Sequence, residues 1–198
     1  MLAKAHFSRI YDVNYWCGPE SRSGIGSGLA VTTALRQELP TLLAHLGVTT
    51  VLDAGCGDYW WMRRASLNIA QYIGVDIVEA AIEQNRQHER EGVRFQCLDI
   101  LHDPLPKVDL ILCRDVLVHL SYDQIRAALQ NFVNSGSTYV LMTTFPQHEN
   151  QDLLNNLLWR PLNFQRPPFK LAAPLQCIQE QHDQPAFDDQ CLGLWRLQ

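Results

Sequence analysis

Apolar residues along the chain fall into short continuous runs separated by polar segments of helical spacing. The runs at 49–54, 72–77, 93–97, 109–113 and 138–143 are rich in Val, Ile, Leu and aromatics and are bounded by Gly, Pro or Asp, which predicts strands. The stretch Asp109 to Cys113 is almost wholly apolar, as expected of a central parallel strand. Between the runs, Leu29, Leu35, Leu39, Leu42, Leu43 and Leu46 keep helical spacing across Pro40. They predict two short helices or one kinked helix ending at Gly47. Further helices are expected over 59–68, over 78–90 and behind Ser121, whose pairing with Gln124 has the form of a capping box. Ile125, Ala128, Leu129, Phe132 and Val133 give that last helix its buried stripe, and Gly136 ends it. Residues 1–27 read as irregular. Residues 146–169, with Asn150, Asn155, Asn156 and Pro167-Pro168, read as a long polar segment. Two strand-like stretches remain at 170–178 and 191–197, the first placed at an edge by Pro174. The order β-α-β-α-β-β-α-β is that of a doubly wound α/β domain.

The chemistry centres on Val51-Leu52-Asp53-Ala54-Gly55-Cys56-Gly57-Asp58. A strand runs into a Gly-x-Gly turn, where the missing side chains let a ligand lie against the backbone. A dinucleotide fingerprint needs a third small residue for close helix–strand packing, and Trp60 occupies that position here. Asp53, two residues before Gly55, opposes a pyrophosphate and suits a ligand with a cationic end. Asp76, at the tip of the second strand and 19 residues after Gly57, is placed to accept ribose hydroxyls from any adenosine ligand. The Ser21 to Gly28 run offers small residues and backbone N–H groups that could meet an anion.

Composition removes several classes. The chain has 198 residues, 46% hydrophobic and 19% charged, which fits one soluble domain with a full core. The net charge of −5 argues against a large nucleic-acid surface. Six cysteines (Cys17, Cys56, Cys97, Cys113, Cys177 and Cys191) include no C-x-x-C pair and read as free thiols, with no metal site expected. No leader-like run and no apolar stretch of membrane-spanning length is seen, so a cytoplasmic protein without a membrane partner is expected.

The Asp53-x-Gly55-x-Gly57 turn, Asp76 after a second strand, Asp99 after a third and Arg114 to Leu120 after a fourth together resemble class I S-adenosylmethionine-dependent methyltransferases over about residues 49–145. The resemblance implies a mostly parallel seven-stranded Rossmann-like sheet with helices on both faces and a C-terminal antiparallel hairpin. With the long glycine- and aromatic-bearing loop within 1–27 read as a lid, the resemblance sits in one expected domain over 1–198: an N-terminal lid and helices (1–48), a cofactor-binding core (49–145), and a substrate-side segment with the closing strands (146–198). It implies S-adenosylmethionine as cofactor, held by Asp53, Gly55, Gly57, Asp76, Ile77, Asp99, Ile100 and Arg114, with Asp99 at the adenine amino group. The acceptor is expected to be a small polar molecule methylated on O or N. Asp115 and His119 are the expected acid–base or acceptor-binding residues at the strand-four turn. His148 is a further candidate, and Arg160, Arg166 and Lys170 are candidates for recognising an acidic acceptor. Two other readings stay open: a non-catalytic S-adenosylmethionine-binding partner subunit, and an NAD-linked oxidoreductase, which Trp60 and Asp53 disfavour.

Overall fold

The computed structural model describes residues 2–153, 159–180 and 185–197. Helix α1 (Leu2–Asp12) precedes α2 (Thr33–Leu46), β1 (Thr50–Ala54), β2 (Gln71–Asp76), α3 (Glu79–Asn85), β3 (Val93–Cys97), β4 (Leu110–Cys113), α4 (Tyr122–Asn134), β5 (Tyr139–Thr144), β6 (Gln176–Gln179) and β7 (Cys191–Arg196). The strands form one seven-stranded sheet in the order β3-β2-β1-β4-β5-β7-β6. The pairings from β3 through β5 are parallel, and β7 inserts antiparallel between β5 and β6. The expected doubly wound sheet with a closing hairpin is therefore the fold.

Strand alternation divides the core between the two faces of this sheet. Leu52, Ile73, Ile111, Val140 and Met142 point to one face and pack with Ile125, Ala128 and Phe132 of α4. Val51, Tyr72, Leu110, Leu112 and Leu141 point to the other and pack with Leu35, Leu39, Leu42 and Leu43 of α2. Burial on both faces explains why β1 and β4 read as continuous apolar runs. The Ser121–Gln124 capping box is present at the start of α4. The α2 segment is one helix through Pro40, because its leucine stripe is almost fully buried and holds the turn that lacks an N–H. Gly47 caps it at φ 67°.

Several expectations fail locally. The N-terminus is not irregular throughout: Phe7, Ile10 and Tyr11 share a helical face, and α1 docks on α3 through Tyr11 Oη, which donates to Gln84 Oε1 at 3.0 Å. The helix expected over 59–68 is reduced to a single 3₁₀ turn at Met62–Arg64. Tyr59 starts this segment at φ 57°, and its ring lies 5.0 Å from Tyr72 and 4.9 Å from Phe95, so packing overrides helical propensity. Likewise α3 stops at Asn85 and a 3₁₀ turn follows at Arg86–His88. The strand expected over 170–178 is confined to Gln176–Gln179, after Pro174 and a left-handed Lys170 at φ 54°. The 146–169 segment is not simply polar, since Leu162 and Phe164 are fully buried; Asn155 and Asn156 lie outside the described residues.

Candidate active site

The chain leaves β3 at one edge of the sheet and returns to β4 beside β1. The strand order reverses there, opening a crevice at the C-terminal ends of the strands. A cavity of about 580 Å³ fills it, within the usual range for small-molecule sites. All ten residues chosen from the sequence line it: Asp53, Gly55, Gly57, Asp76, Ile77, Asp99, Ile100, Arg114, Asp115 and His119.

One wall comes from the tips of β1, β2 and β3. Asp53 is buried and accepts a hydrogen bond from Tyr72 Oη at 2.6 Å. Burial pushes its carboxyl up to about 7, opposed by the Tyr72 hydrogen bond. Asp76 accepts from the N–H groups of Gly57 and Val78, each at 2.9 Å, which fixes its carboxylate across the glycine turn. Burial raises its pKa and these backbone donors oppose the shift. Asp99 accepts from Leu101 N–H at 2.9 Å and lies 3.0 Å from His102 Nδ1. Ile77, Leu98, Ile100 and Leu101 supply apolar surface beside these carboxylates.

The glycines, which line the cavity as expected, also make room within the protein. Gly55 sits at φ 90°, and a Cβ there would meet Val116 Cγ2 at 2.2 Å. Gly57 sits at φ 52°, and its Cβ would meet Ser23 Oγ at 2.0 Å. The turn therefore makes room for the protein's own neighbouring segments, in conformations that favour glycine.

Those segments form the second wall. Residues 16–27 cross the cavity and are fastened by Asp58, which accepts from Ser21 Oγ at 2.9 Å, Arg22 N–H at 2.9 Å and Ser23 Oγ at 3.3 Å. The donors that the Ser21 to Gly28 run was expected to offer to an anion thus go in part to an internal carboxylate. Beyond β4, Asp115 adopts φ 56°, a left-handed conformation seen at functional sites. Its N–H donates to Thr143 Oγ1 at 2.8 Å, and its carboxylate accepts from Thr143 Oγ1 and Gln190 Nε2, each at 3.2 Å. Arg114 bridges two carboxylates: Nε donates to Glu180 at 2.8 Å, Nη1 lies 3.2 Å from Asp115, and Nη2 donates to Gly26 O at 2.9 Å. Burial alone would lower the Arg114 pKa, but Glu180 and Asp115 raise it overall, so the guanidinium stays charged. His119, half-buried, has its ring 5.4 Å from Trp16 and 6.3 Å from Phe7.

Residues 51–135 match a family model described as a methyltransferase domain. The chain is thus similar to methyltransferase domains from β1 to α4. No curated protein matches it by sequence. Its fold is similar to that of the N-methyltransferase NodS from Bradyrhizobium japonicum in complex with S-adenosyl-L-homocysteine, at 18% identity and TM-score 0.55, covering 81% of this chain and 86% of that one. It is also similar to the methyltransferase domain of bacterial CtHen1, at 14% identity and TM-score 0.63, covering 84% and 99%. The magnesium protoporphyrin IX methyltransferase ChlM from Synechocystis PCC 6803 matches at 20% identity and TM-score 0.48. That match covers 60% of this chain, which spans 59% of ChlM's length.

The other candidates lie elsewhere. Arg160 is neither a surface charge nor available to an acidic acceptor. It is buried, and its guanidinium donates to the carbonyls of Leu117, Val118, Leu120 and Gln151 at 2.6–3.1 Å, bracing the turn that carries His119. Arg166 is exposed, with Nε 3.7 Å from Glu149. Lys170 is exposed and forms no part of the cavity wall. His148 lies 3.2 Å from Asp189, outside the cavity wall. The sequence reading missed Asp58, Glu180 and Gln190. Asp58 was in view beside Gly57, whereas Glu180 and Gln190 reach Arg114 and Asp115 from 66 and 75 residues away, with no local pattern to signal it.

Proposed function

We propose that this domain binds S-adenosylmethionine in the cavity and transfers its methyl group to a small polar acceptor, on O or N. The observation that carries this reading is the set of carboxylates along the strand tips, Asp53, Asp76 and Asp99, interleaved with apolar Ile77 and Ile100 around one cavity. That donor set fits the ligand: Asp76 for the ribose hydroxyls, Asp99 and its apolar neighbours for the purine, and Asp53 facing the cationic methionine end. When bound, S-adenosylmethionine supplies a methyl group already activated on sulfonium, so the protein's work is mainly positioning and proton removal. Asp115 and His119 on the opposite wall hold the acceptor and take its proton. Residues 16–27 form a lid that keeps water from the reacting atoms. A dinucleotide is a poorer fit, because buried Asp53 would face its pyrophosphate.

Calorimetric titration with S-adenosylmethionine, S-adenosylhomocysteine and NADH tests this. Micromolar binding of the first two, without NADH binding, is expected. NADH binding instead, or no binding by a folded protein, contradicts the reading. Asp76→Ala is expected to weaken S-adenosylhomocysteine binding by about 1–3 kcal/mol, through lost hydrogen bonds to a charged group. An unchanged affinity would take Asp76 out of the site.

A further inference from the structure

We infer that the acceptor is an amine, bound as its ammonium form by Asp115 beneath the aromatic part of the lid. The inference rests on the cavity being the methyl-transfer site proposed above, and it is carried by the charge balance of the Glu180–Arg114–Asp115 triad. One guanidinium serves two carboxylates, so the triad carries a formal charge of minus one. The side chains of Glu180 and Arg114 are only 1% and 5% exposed, whereas that of Asp115 is 28% exposed and lines the cavity. The uncompensated charge therefore faces the ligand through Asp115. Thr143, Gln190 and the left-handed backbone hold that carboxylate in place.

Two further observations agree. Arg114 is the only Lys or Arg among the described residues lining the cavity, and its guanidinium is engaged with Glu180, Asp115 and Gly26. The segments 154–158 and 181–184 contain no Lys or Arg either. Arg160, the other buried arginine, is committed to backbone carbonyls. A carboxylate or phosphate acceptor would thus meet negative charge with no uncommitted Lys or Arg among the described residues lining the cavity. Trp16, Trp61 and Trp159 also line the cavity, and aromatic faces attract an ammonium group. In the reaction the methyl group replaces one proton of the nitrogen. That proton passes to the Asp115 carboxylate and then to water, and the freed nitrogen lone pair forms the N–C bond as the S–CH3 bond of the sulfonium breaks, its electron pair leaving on sulfur as S-adenosylhomocysteine.

The test uses the whole chain saturated with S-adenosylhomocysteine and three probes sharing one skeleton: phenethylamine, 2-phenylethanol and 3-phenylpropanoate. Calorimetry is expected to show phenethylamine binding at least tenfold more tightly than the alcohol, and the carboxylate not binding. Equal or tighter binding of the alcohol or carboxylate overturns the inference, as does no binding of the amine at millimolar concentration. If S-adenosylhomocysteine itself fails to bind, the underlying reading falls and takes the inference with it. Asp115→Asn, at a half-exposed position, is expected to abolish the amine preference while changing S-adenosylhomocysteine affinity less than twofold. Glu180→Gln keeps the Asp115 carboxylate but brings the triad to zero net charge, and should lower amine affinity at least fivefold. A folded Asp115→Asn protein that still prefers the amine contradicts the assignment.

Discussion

The two walls of the cavity are built by opposite means. The strand-tip wall takes Asp53, Asp76 and Asp99 from neighbouring parallel strands, and Asp76 and Asp99 are fixed by backbone N–H groups near them in sequence or across the glycine turn. The facing wall is assembled from residues far apart in the chain: Gly26 from the 16–27 segment, Arg114 and Asp115 after β4, Thr143 in β5, Glu180 after β6 and Gln190 before β7. A wall held by local backbone geometry can keep one shape across many sequences. A wall held by long-range side-chain contacts can be rebuilt for a new acceptor without disturbing the first.

The largest expected effect lies in the facing wall. Arg114→Met strands Glu180 as a buried charge without its partner, and should cost about 3–5 kcal/mol in urea unfolding. A loss below about 1 kcal/mol would mean that the triad does not hold this wall together. Next is a pH effect in the strand-tip wall. Asp53 titrates near 7 when folded and near its ordinary 3.8 when unfolded. Between those values the folded state retains a proton that the unfolded state has released, so stability falls as pH rises from about 4 to 7 and levels off above. Asp53→Asn removes this contribution and should gain on the wild type by roughly 2–4 kcal/mol between pH 4 and pH 8. Parallel stability profiles for the two proteins would contradict the burial of Asp53.

Gly55→Ala should cost about 2–3 kcal/mol, from the left-handed backbone and the overlap with Val116. Adding Val116→Ala should recover part of that loss. No recovery would show that backbone strain alone sets the cost. The smallest effect is expected at the 16–27 segment, where Asp58→Ala should cost about 1–2 kcal/mol and speed proteolytic cleavage within residues 13–28. An unchanged cleavage rate would mean that Asp58 does not fasten this segment.

This contrast also explains what the sequence could reveal. The strand-tip wall was legible because parallel strands bring residues at fixed offsets to one edge: Asp53, Asp76 and Asp99 each end or follow an apolar run. The doubly wound arrangement followed from the alternation of strands and helices. Misreadings arose where tertiary packing overrode local pattern. Tyr59 gave up a helical start to pack on Tyr72 and Phe95, and Arg160, polar in sequence, was buried by the carbonyls it satisfies. Gly55 was recognised as a required glycine, but its neighbour is Val116 across the site, a contact that only the fold reveals. Glu180 and Gln190 were illegible because their meaning comes from partners on β4 and the turn after it.

The most direct measurement is a crystal structure of the protein with S-adenosylhomocysteine. The account predicts the ribose hydroxyls on the Asp76 carboxylate, the adenine between Asp99 and Ile100, and the methionine end over the Gly55–Gly57 turn, with its sulfur facing Asp115. Ligand bound outside this cavity, or with its ribose away from Asp76, would contradict it.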